Sequence, residues 1–250
     1  MEECAKQIRE GDFLHDFEVF LRYVENEKIK LTPKLQFIPL KHVKNINSLF
    51  RHREATEYNS RRLNFKYRIE DEFPRFYFLD LLALYSGCLE ITSKGYYKKG
   101  QNFADFWASE LYQKIGFLFI SWWDHFYWEI HFAHGNDFAE CLQDKRAFIS
   151  PILKKTINMP KVDVEKFTGE VISVTGVKWK CEAGDPDNST AKWAVERIIL
   201  QAMSYFGAVM IVDKIGISGR KIPGSFSLTE PLGKWLVSIL PPAAVTMYVS

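Results

Sequence analysis

Apolar residues in the first third of the chain recur at the spacing of amphipathic helices. Between Asp12 and Glu27 they stand three and four positions apart, which predicts a helix with Asp12 as its N-cap. The same spacing predicts a helix over residues 40–50. Pro74, at a first helical position, predicts another that runs to residue 85 or 86 and stops at Gly87. The segments between these helices are predicted as a short strand over 35–39 and a polar loop or loosely helical excursion over 51–72.

The rest of the chain combines long helical patterns with short β-rich pieces. Residues 103–132 form the longest helical pattern. Because Gly116 lies inside it, the pattern is equally compatible with one long helix or with two consecutive helices. The other predicted elements are a helix over 137–148, a strand over 171–181, a helix over 191–206 capped by Ser189 or Thr190, a hairpin over 208–229 and a last helix over 232–240.

Two places in the chain look alike. The sequence from Tyr85 to Ile91 aligns with the sequence from Tyr205 to Ile211, so that Tyr, Gly and Ile coincide. In both, a helix ends at the glycine (Gly87 or Gly207), a hairpin follows, and a helix begins near a second glycine, Gly100 or Gly233. The first glycine of each pair can adopt the left-handed conformation that turns a helix directly into a strand.

This order of helix, short strand, two helices and a two-stranded wing resembles the winged helix-turn-helix domain. KLTPKLQFIPLKHV resembles the short strand and second helix of such domains, and SFSLTEPLGKWL resembles the closing strand and following helix. Residues 12–110 follow the order well and 160–240 less completely. The resemblance implies a mainly α chain with small β hairpins (α+β): a winged-helix-like domain over 1–110, an aromatic-rich helical connector over 111–160, and a second winged-helix-like domain over 161–250.

Composition and charge exclude some classes of protein and leave others open. The four cysteines are scattered, the N-terminus is charged, and the longest apolar run is too short for a membrane span, so we expect a cytoplasmic protein with no membrane partner. The net charge of +2 does not by itself indicate nucleic acid. However, residues 41–68 alone carry a charge of +6, and a local basic patch can bind phosphate or be an ordinary solvated surface.

Many winged-helix domains place the helix before the wing in the major groove of DNA, and the resemblance therefore suggests a DNA-binding, transcription-regulating protein. In the first repeat that helix is mostly apolar, whereas the second offers polar and basic side chains, among which Glu196 would oppose phosphates. The candidate nucleic-acid-binding residues are Lys41, Lys44, Arg51, Arg53, Arg61 and Arg62 in the basic segment, Lys94, Lys98 and Lys99 in the first wing, Lys192 and Arg197 on the second helix, and Arg220 and Lys221 in the second wing. The alternative is a protein-interaction or oligomerisation module. The helical spacing of the aromatic run over 117–128 favours core packing, and a partly exposed side of that run would indicate a surface for self-association.

Catalytic patterns are weak in this sequence. His131 and His134 have helical spacing, but no HExxH order accompanies them, so we expect neither a metal nor another cofactor. The glycine-rich GISGRKIPGS lies in a predicted hairpin and opens no helix, which favours a wing over a phosphate-binding loop. The sequence therefore predicts a non-enzymatic protein.

Overall fold

The chain is mainly helical with small antiparallel sheets, which confirms the predicted α+β class. A computed structural model describes residues 2–59, 64–132, 137–180, 185, 187–216 and 220–242. Its contacts divide the chain into two compact units, which we call unit 1 (Met1–Phe126) and unit 2 (Tyr127–Ser250). Within the described ranges, no helix has the length and apolar character needed to cross a bilayer.

Unit 1 surrounds an apolar central helix with shorter elements. Its helices are α1 (Glu2–Glu10), α2 (Asp12–Asn26), α3 (Leu40–Leu49), α4 (Pro74–Tyr85), α5 (Phe103–Ala108) and α6 (Leu111–Asp124). Its strands are β1 (Glu57–Asn59), β2 (Asn64–Lys66), β3 (Leu89–Ile91) and β4 (Tyr97–Lys99), paired as β1–β2 and β3–β4, and a 3-10 turn covers Glu70–Glu72.

The sequence prediction placed the main helices of unit 1 from residue 12 onward, but it missed α1 and the β1–β2 hairpin, which lies in the segment predicted as a loop or loosely helical excursion over 51–72. No strand forms over 35–39; instead Lys30 bridges Tyr96 in antiparallel fashion, and a turn follows in which Gln36 has a φ of 54°. Gly11, not Asp12, is the N-cap of α2. The helix that stops at Gly87 begins at Pro74, as expected.

Unit 2 repeats the order of helices followed by a hairpin. Its helices are α7 (Trp128–His131), α8 (Phe138–Asp144), α9 (Arg146–Lys155), α10 (Val164–Thr175), α11 (Ser189–Val195), α12 (Ala202–Tyr205) and α13 (Leu232–Ser238); a 3-10 turn covers Thr156–Asn158, and a π-helical turn over Glu196–Gln201 joins α11 to α12. Its strands β5 (Val162–Asp163), β6 (Val209–Ile215) and β7 (Lys221–Leu228) form one antiparallel sheet in the order β5-β7-β6.

The strand predicted over 171–181 does not form in the described residues: α10 covers 171–175, no strand lies over 176–180, and Cys181 falls outside the described residues. The β-branched residues of that segment favour strands, but Val164, Phe167, Val171 and Ile172 are buried at helical spacing and therefore form the inward face of a helix. The Asp163 carboxylate accepts a hydrogen bond from the backbone N–H of Lys166 (2.9 Å) and caps the helix.

The two glycine reversals have the same geometry. Gly87 and Gly207 both have a φ of 70°, and each ends a helix directly before a hairpin. The second glycine of each pair lies against backbone: a Cβ on Gly100 would stand 2.2 Å from the Gly87 carbonyl oxygen, and one on Gly233 would stand 1.9 Å from that of Ala208. The internal repeat therefore reflects the same glycine reversal in both units and a similar close approach of a second glycine, which in unit 2 meets the residue after the reversal; the two hairpins lie in separate sheets.

The two units divide the predicted connector over 111–160 between them. Helix α6 packs on α1 and α4 and belongs to unit 1, whereas α8 and α9 belong to unit 2, where α9 packs on α10. The long helical pattern over 103–132 breaks at Ser109 and Glu110 and again after Asp124, while Gly116 stays inside α6.

The aromatic run over 117–128 lies largely in the cores. Phe119, Trp122, Trp123 and Phe126 are each 1% exposed or less, and Trp128 is 2% exposed. Helical spacing turned these rings inward, where burial of aromatic area is most favourable. These rings therefore pack in the cores, as their helical spacing predicted, whereas Tyr127 of the same run is 58% exposed.

Candidate nucleic-acid interface

The helix before the hairpin differs in the two units. In unit 1, α4 is almost wholly buried, and its arginine, Arg75, is 4% exposed. The Arg75 guanidinium donates to Asp16 Oδ2 (2.6 Å), and the Glu54 carboxylate accepts from the backbone N–H groups of Arg75 (3.0 Å) and Phe76 (2.7 Å) at the helix start. Burial raises the pKa of Glu54, although these two hydrogen bonds and the charge of Arg75 oppose the rise. This helix is therefore a core element that cannot read bases.

Four of the nine basic candidates of unit 1 have partners within the protein. Arg51 donates from its guanidinium to the carbonyl of Arg9 (2.8 Å), and Arg53 donates from Nε to the carbonyl of Phe50 (3.3 Å). Lys98 pairs with Glu90 and Lys99 with Glu25, each at 2.6 Å. These contacts hold the turn after α3 and the β3–β4 hairpin in place.

The remaining candidates of unit 1 are exposed or lie outside the described residues. Lys41 and Lys44 lie on the exposed face of α3, and Lys94 is exposed in the turn between β3 and β4. Arg61 and Arg62 fall outside the described ranges. The +6 segment is consequently spread over a helix, a turn and a hairpin, with two of its arginines engaged by backbone carbonyls.

In unit 2, the helix before the hairpin presents a polar face. The carboxylate of Asp185 accepts hydrogen bonds from the backbone N–H groups of Thr190 (3.1 Å) and Ala191 (2.9 Å), which satisfies the start of α11. Asn188, in the left-handed region, is the N-cap instead of the predicted Ser189 or Thr190. Ala191, Ala194 and Val195 then face the core, so that Lys192 is left partly exposed and Arg197 fully exposed on the other side.

A groove of about 710 Å³ lies between this helix, α10 and the β6–β7 hairpin. Its charged lining residues are Lys192, Arg197, Lys214 and Lys221 together with Glu165, Asp187, Glu196 and Asp213, and its apolar lining includes Trp193, Ile222 and Pro223. The charges in the groove thus balance. Arg220 and Lys221 are exposed at the start of β7.

Glu165 neutralises two of the groove lysines. It accepts from Lys192 Nζ at 3.5 Å and stands 4.0 Å from Lys214 Nζ. Glu165 was not selected from the sequence, which predicted no helix over Val164–Thr175.

Glu196 is the most buried charged residue of the groove, at 9% exposure. Burial raises the pKa of its carboxyl; the positive charge of Arg197 opposes that rise and the negative charge of Asp213 adds to it. The burial of Glu196 could have been suspected from the sequence, because this acidic residue stands among Val195, Ile198 and Ile199, which occupy core positions.

Metal chemistry finds no support in the described part of the chain. Within it, no three His, Cys, Asp or Glu side chains converge as a metal site requires. The His131 ring packs edge-on against Tyr205, with ring centroids 6.3 Å apart, and His134 lies outside the described residues.

No protein-family model matches the chain, and comparisons with curated proteins and with solved structures find no match either.

Proposed function

We propose that the chain is a non-enzymatic, tandem winged-helix protein that associates with nucleic acid, and that unit 2 makes the contact. The observation that supports this proposal is the helix of unit 2 that exposes Lys192 and Arg197 and continues through Gly207 into a hairpin with Arg220 and Lys221. A basic helix face followed by a basic hairpin is the arrangement that winged-helix domains use on DNA.

The order of elements in both units is consistent with the winged-helix interpretation. The order of elements in unit 2 is α9, β5, α10, the helix from Ser189 to Tyr205, β6 and β7. Strand β5 pairs with β7. In unit 1 the bridge between Lys30 and Tyr96 takes the place of that strand pairing. Because α4 is buried, unit 1 serves in this proposal as a packing module.

The proposal predicts a binding constant that falls steeply with salt. If three to five side chains contact phosphates, the slope of log K against log salt concentration is about −2.7 to −4.5 for a duplex. Fluorescence anisotropy of a labelled random-sequence duplex, titrated at several salt concentrations, measures this slope.

Variants at the hairpin locate the contact. Arg220→Gln and Lys221→Gln should each reduce the magnitude of the slope by about one, because each removes one phosphate contact. Lys155→Gln is the matched control: it removes one charge of unit 2 from a lysine that pairs with Glu170 at 2.9 Å and does not line the groove. Absence of binding at low salt, or equal effects of all three variants, would remove the proposal.

A second candidate, protein interaction, is favoured by the apolar edge of the unit 2 sheet. Strand β6 pairs with β7 alone in the sheet order, and Met210 (59%), Val212 (50%) and Ile215 (68%) are exposed along it. Exposed apolar edge strands favour pairing with another polypeptide. Light scattering after size exclusion distinguishes the candidates: a stable mass above the 29.2 kDa of one chain favours interaction, and a monomer at every loading concentration counts against self-pairing.

A further inference from the structure

Two buried carboxyl groups of unit 1 share a hydrogen bond. Glu70 is 0% exposed and Asp80 is 3% exposed, and their side chains hydrogen-bond to each other. The backbone N–H of Ile38 donates to Glu70 Oε2 (2.5 Å), whereas no donor among the described residues reaches the buried Glu70 Oε1. Two carboxylates offer acceptors only, so a hydrogen bond between them requires a proton on one of them. Glu70 Oε1 is the oxygen left free to carry this proton.

The groups around the Glu70–Asp80 pair offer no positive charge that could replace the proton. Among the described residues, the titratable groups that interact with the two carboxyls are Asp71 on the same 3-10 turn, Tyr77 on α4 and Tyr97 on β4. The Tyr97 hydroxyl donates to Asp80 Oδ1 (2.5 Å). Burial raises the pKa of Glu70 well above its usual range, and the charge of Asp80 adds to the rise. Loss of the proton leaves two negative charges side by side in the core.

The pair joins separate segments of unit 1 around α4. Glu70 lies on the 3-10 turn before α4, Asp80 lies within α4, and Tyr97 lies on β4. Ile38, whose N–H binds Glu70, lies in the segment just before α3. The proton on Glu70 therefore decides whether the turn stays attached to α4 and to the start of α3.

The 3-10 turn is the element that can yield when the pair ionises. Helix α4 is fixed in the core, where Phe78 and Leu79 are both 0% exposed. The turn has three residues, and the two that follow Glu70, which are Asp71 and Glu72, are exposed. Segments with few buried contacts open locally at a lower free energy than the whole fold. A movement of this turn can therefore bring Glu70 to water while α4 stays in place.

We propose that the Glu70–Asp80 pair is a pH-dependent switch: the turn is closed against α4 while the two carboxyls share a proton, and loss of the proton turns Glu70 toward solvent and releases Ile38. Acidic pH favours the closed state. Because the folded-state pKa of Glu70 is raised, the closed state loses its advantage as the pH rises from the ordinary range of a glutamate through that pKa. The switch belongs to unit 1 and is independent of the nucleic-acid contact proposed for unit 2.

Hydrogen exchange of the Ile38 amide reports on the switch, because this amide binds Glu70 only in the closed state. NMR on the full chain, corrected for the intrinsic effect of pH on exchange, should show its protection falling by up to about tenfold for each pH unit above the ordinary range of a glutamate. The protection of Ile38 should also stay at least about tenfold below that of Leu82 in the core of α4, because the turn opens without unfolding the helix. A carbon-detected titration should show the Glu70 carboxyl ionising over the range in which Ile38 loses protection.

The variant Glu70→Gln imitates the protonated acid, because its amide keeps an acceptor for Ile38 and adds a donor for Asp80. Its Ile38 protection should not change with pH. Asp71→Asn, at an exposed position of the same turn, is the matched control and should keep the pH dependence of the wild type. If Glu70→Gln does not fold, Asp80→Asn should reduce the pH dependence, since it removes one negative charge and keeps an acceptor for Tyr97.

Three results would overturn the proposal. The first is wild-type protection of Ile38 that does not change with pH. The second is an undiminished pH dependence in a folded Glu70→Gln or Asp80→Asn variant. The third is equal protection of Ile38 and Leu82 at every pH, which would mean that the unit unfolds as a whole and the turn does not open by itself.

Discussion

The ion pair between Asp16 and Arg75 gives the sharpest test of how unit 1 is held together. Asp16 is 0% exposed, and its carboxylate accepts from the Arg75 guanidinium (2.6 Å) and from the backbone N–H groups of Arg51 (2.6 Å) and His52 (3.2 Å). It therefore ties α2 to α4 and to the turn after α3. Replacing it by asparagine keeps the shape but leaves the buried arginine without its counter-charge.

The expected loss can be estimated from the burial of both partners. Breaking a buried pair by removing one charge costs about 3–5 kcal/mol, because the other charge remains desolvated. For a unit of this size, that loss lowers the melting temperature by roughly 10–20 °C. Denaturant unfolding, followed by far-UV circular dichroism, measures the free energy of unfolding of Asp16→Asn against the wild type.

Asp12 on the same helix is the matched control. It is exposed in the first turn of α2, so Asp12→Asn should cost less than about 1 kcal/mol. Adding Arg75→Met to Asp16→Asn should cost less than the sum of the two single losses, because the two side chains interact directly. A loss of under about 1 kcal/mol for Asp16→Asn would refute the assignment of this pair as a structural link.

Three further substitutions, with Gly169→Ala as a control, test the buried acid pair and the glycine packing. Burial raises the pKa of Glu70 well above its usual value, and the nearby charge of Asp80 adds to the rise, so its protonated form stabilises the fold at acidic pH and this contribution is lost as pH rises through the folded-state pKa. Glu70→Gln should therefore reduce the loss of stability that occurs as the pH rises above the ordinary pKa of a glutamate. Denaturant unfolding of both proteins at a series of pH values measures this, and parallel curves of unfolding free energy against pH would contradict it. Gly100→Ala and Gly233→Ala should each lower the free energy of unfolding by about 1–3 kcal/mol, because the added Cβ overlaps a backbone oxygen. In Gly169→Ala, where the nearest atom is 3.9 Å away in a helix, stability should instead rise by about 0.5–1 kcal/mol, and equal effects at the three glycines would count against this packing.

Local signals in the sequence were sufficient for the elements that begin or end at distinctive residues. Pro74 and Gly87 mark the limits of α4, and both act through backbone geometry that needs no distant partner. Helix α10 was mistaken for a strand because burial on one face outweighed β propensity. The Thr168 and Thr175 hydroxyls donate back to the carbonyls of Val164 (2.9 Å) and Val171 (2.7 Å), which accommodates these residues within a helix.

The candidate site was only partly predictable, because charge type is visible in a sequence and pairing is not. The sequence identified Lys99 and Lys192 as basic candidates for phosphate contacts. It did not reveal that they form ion pairs with Glu25 and Glu165, which come from distant positions in the chain. A phosphate contact needs a cation with little internal competition, and that depends on tertiary structure. The burial of Glu196 is equally invisible in the sequence, since it follows from packing around the groove.

Mapping of a bound duplex by NMR tests the central claim most directly. With a short random-sequence duplex at low salt, backbone amide shifts should concentrate at Lys192, at Arg197 and on the hairpin near Arg220 and Lys221. These shifts should disappear as salt is raised. Shifts confined to unit 1, or none at any salt concentration, would contradict the assignment of unit 2 as the nucleic-acid-binding unit.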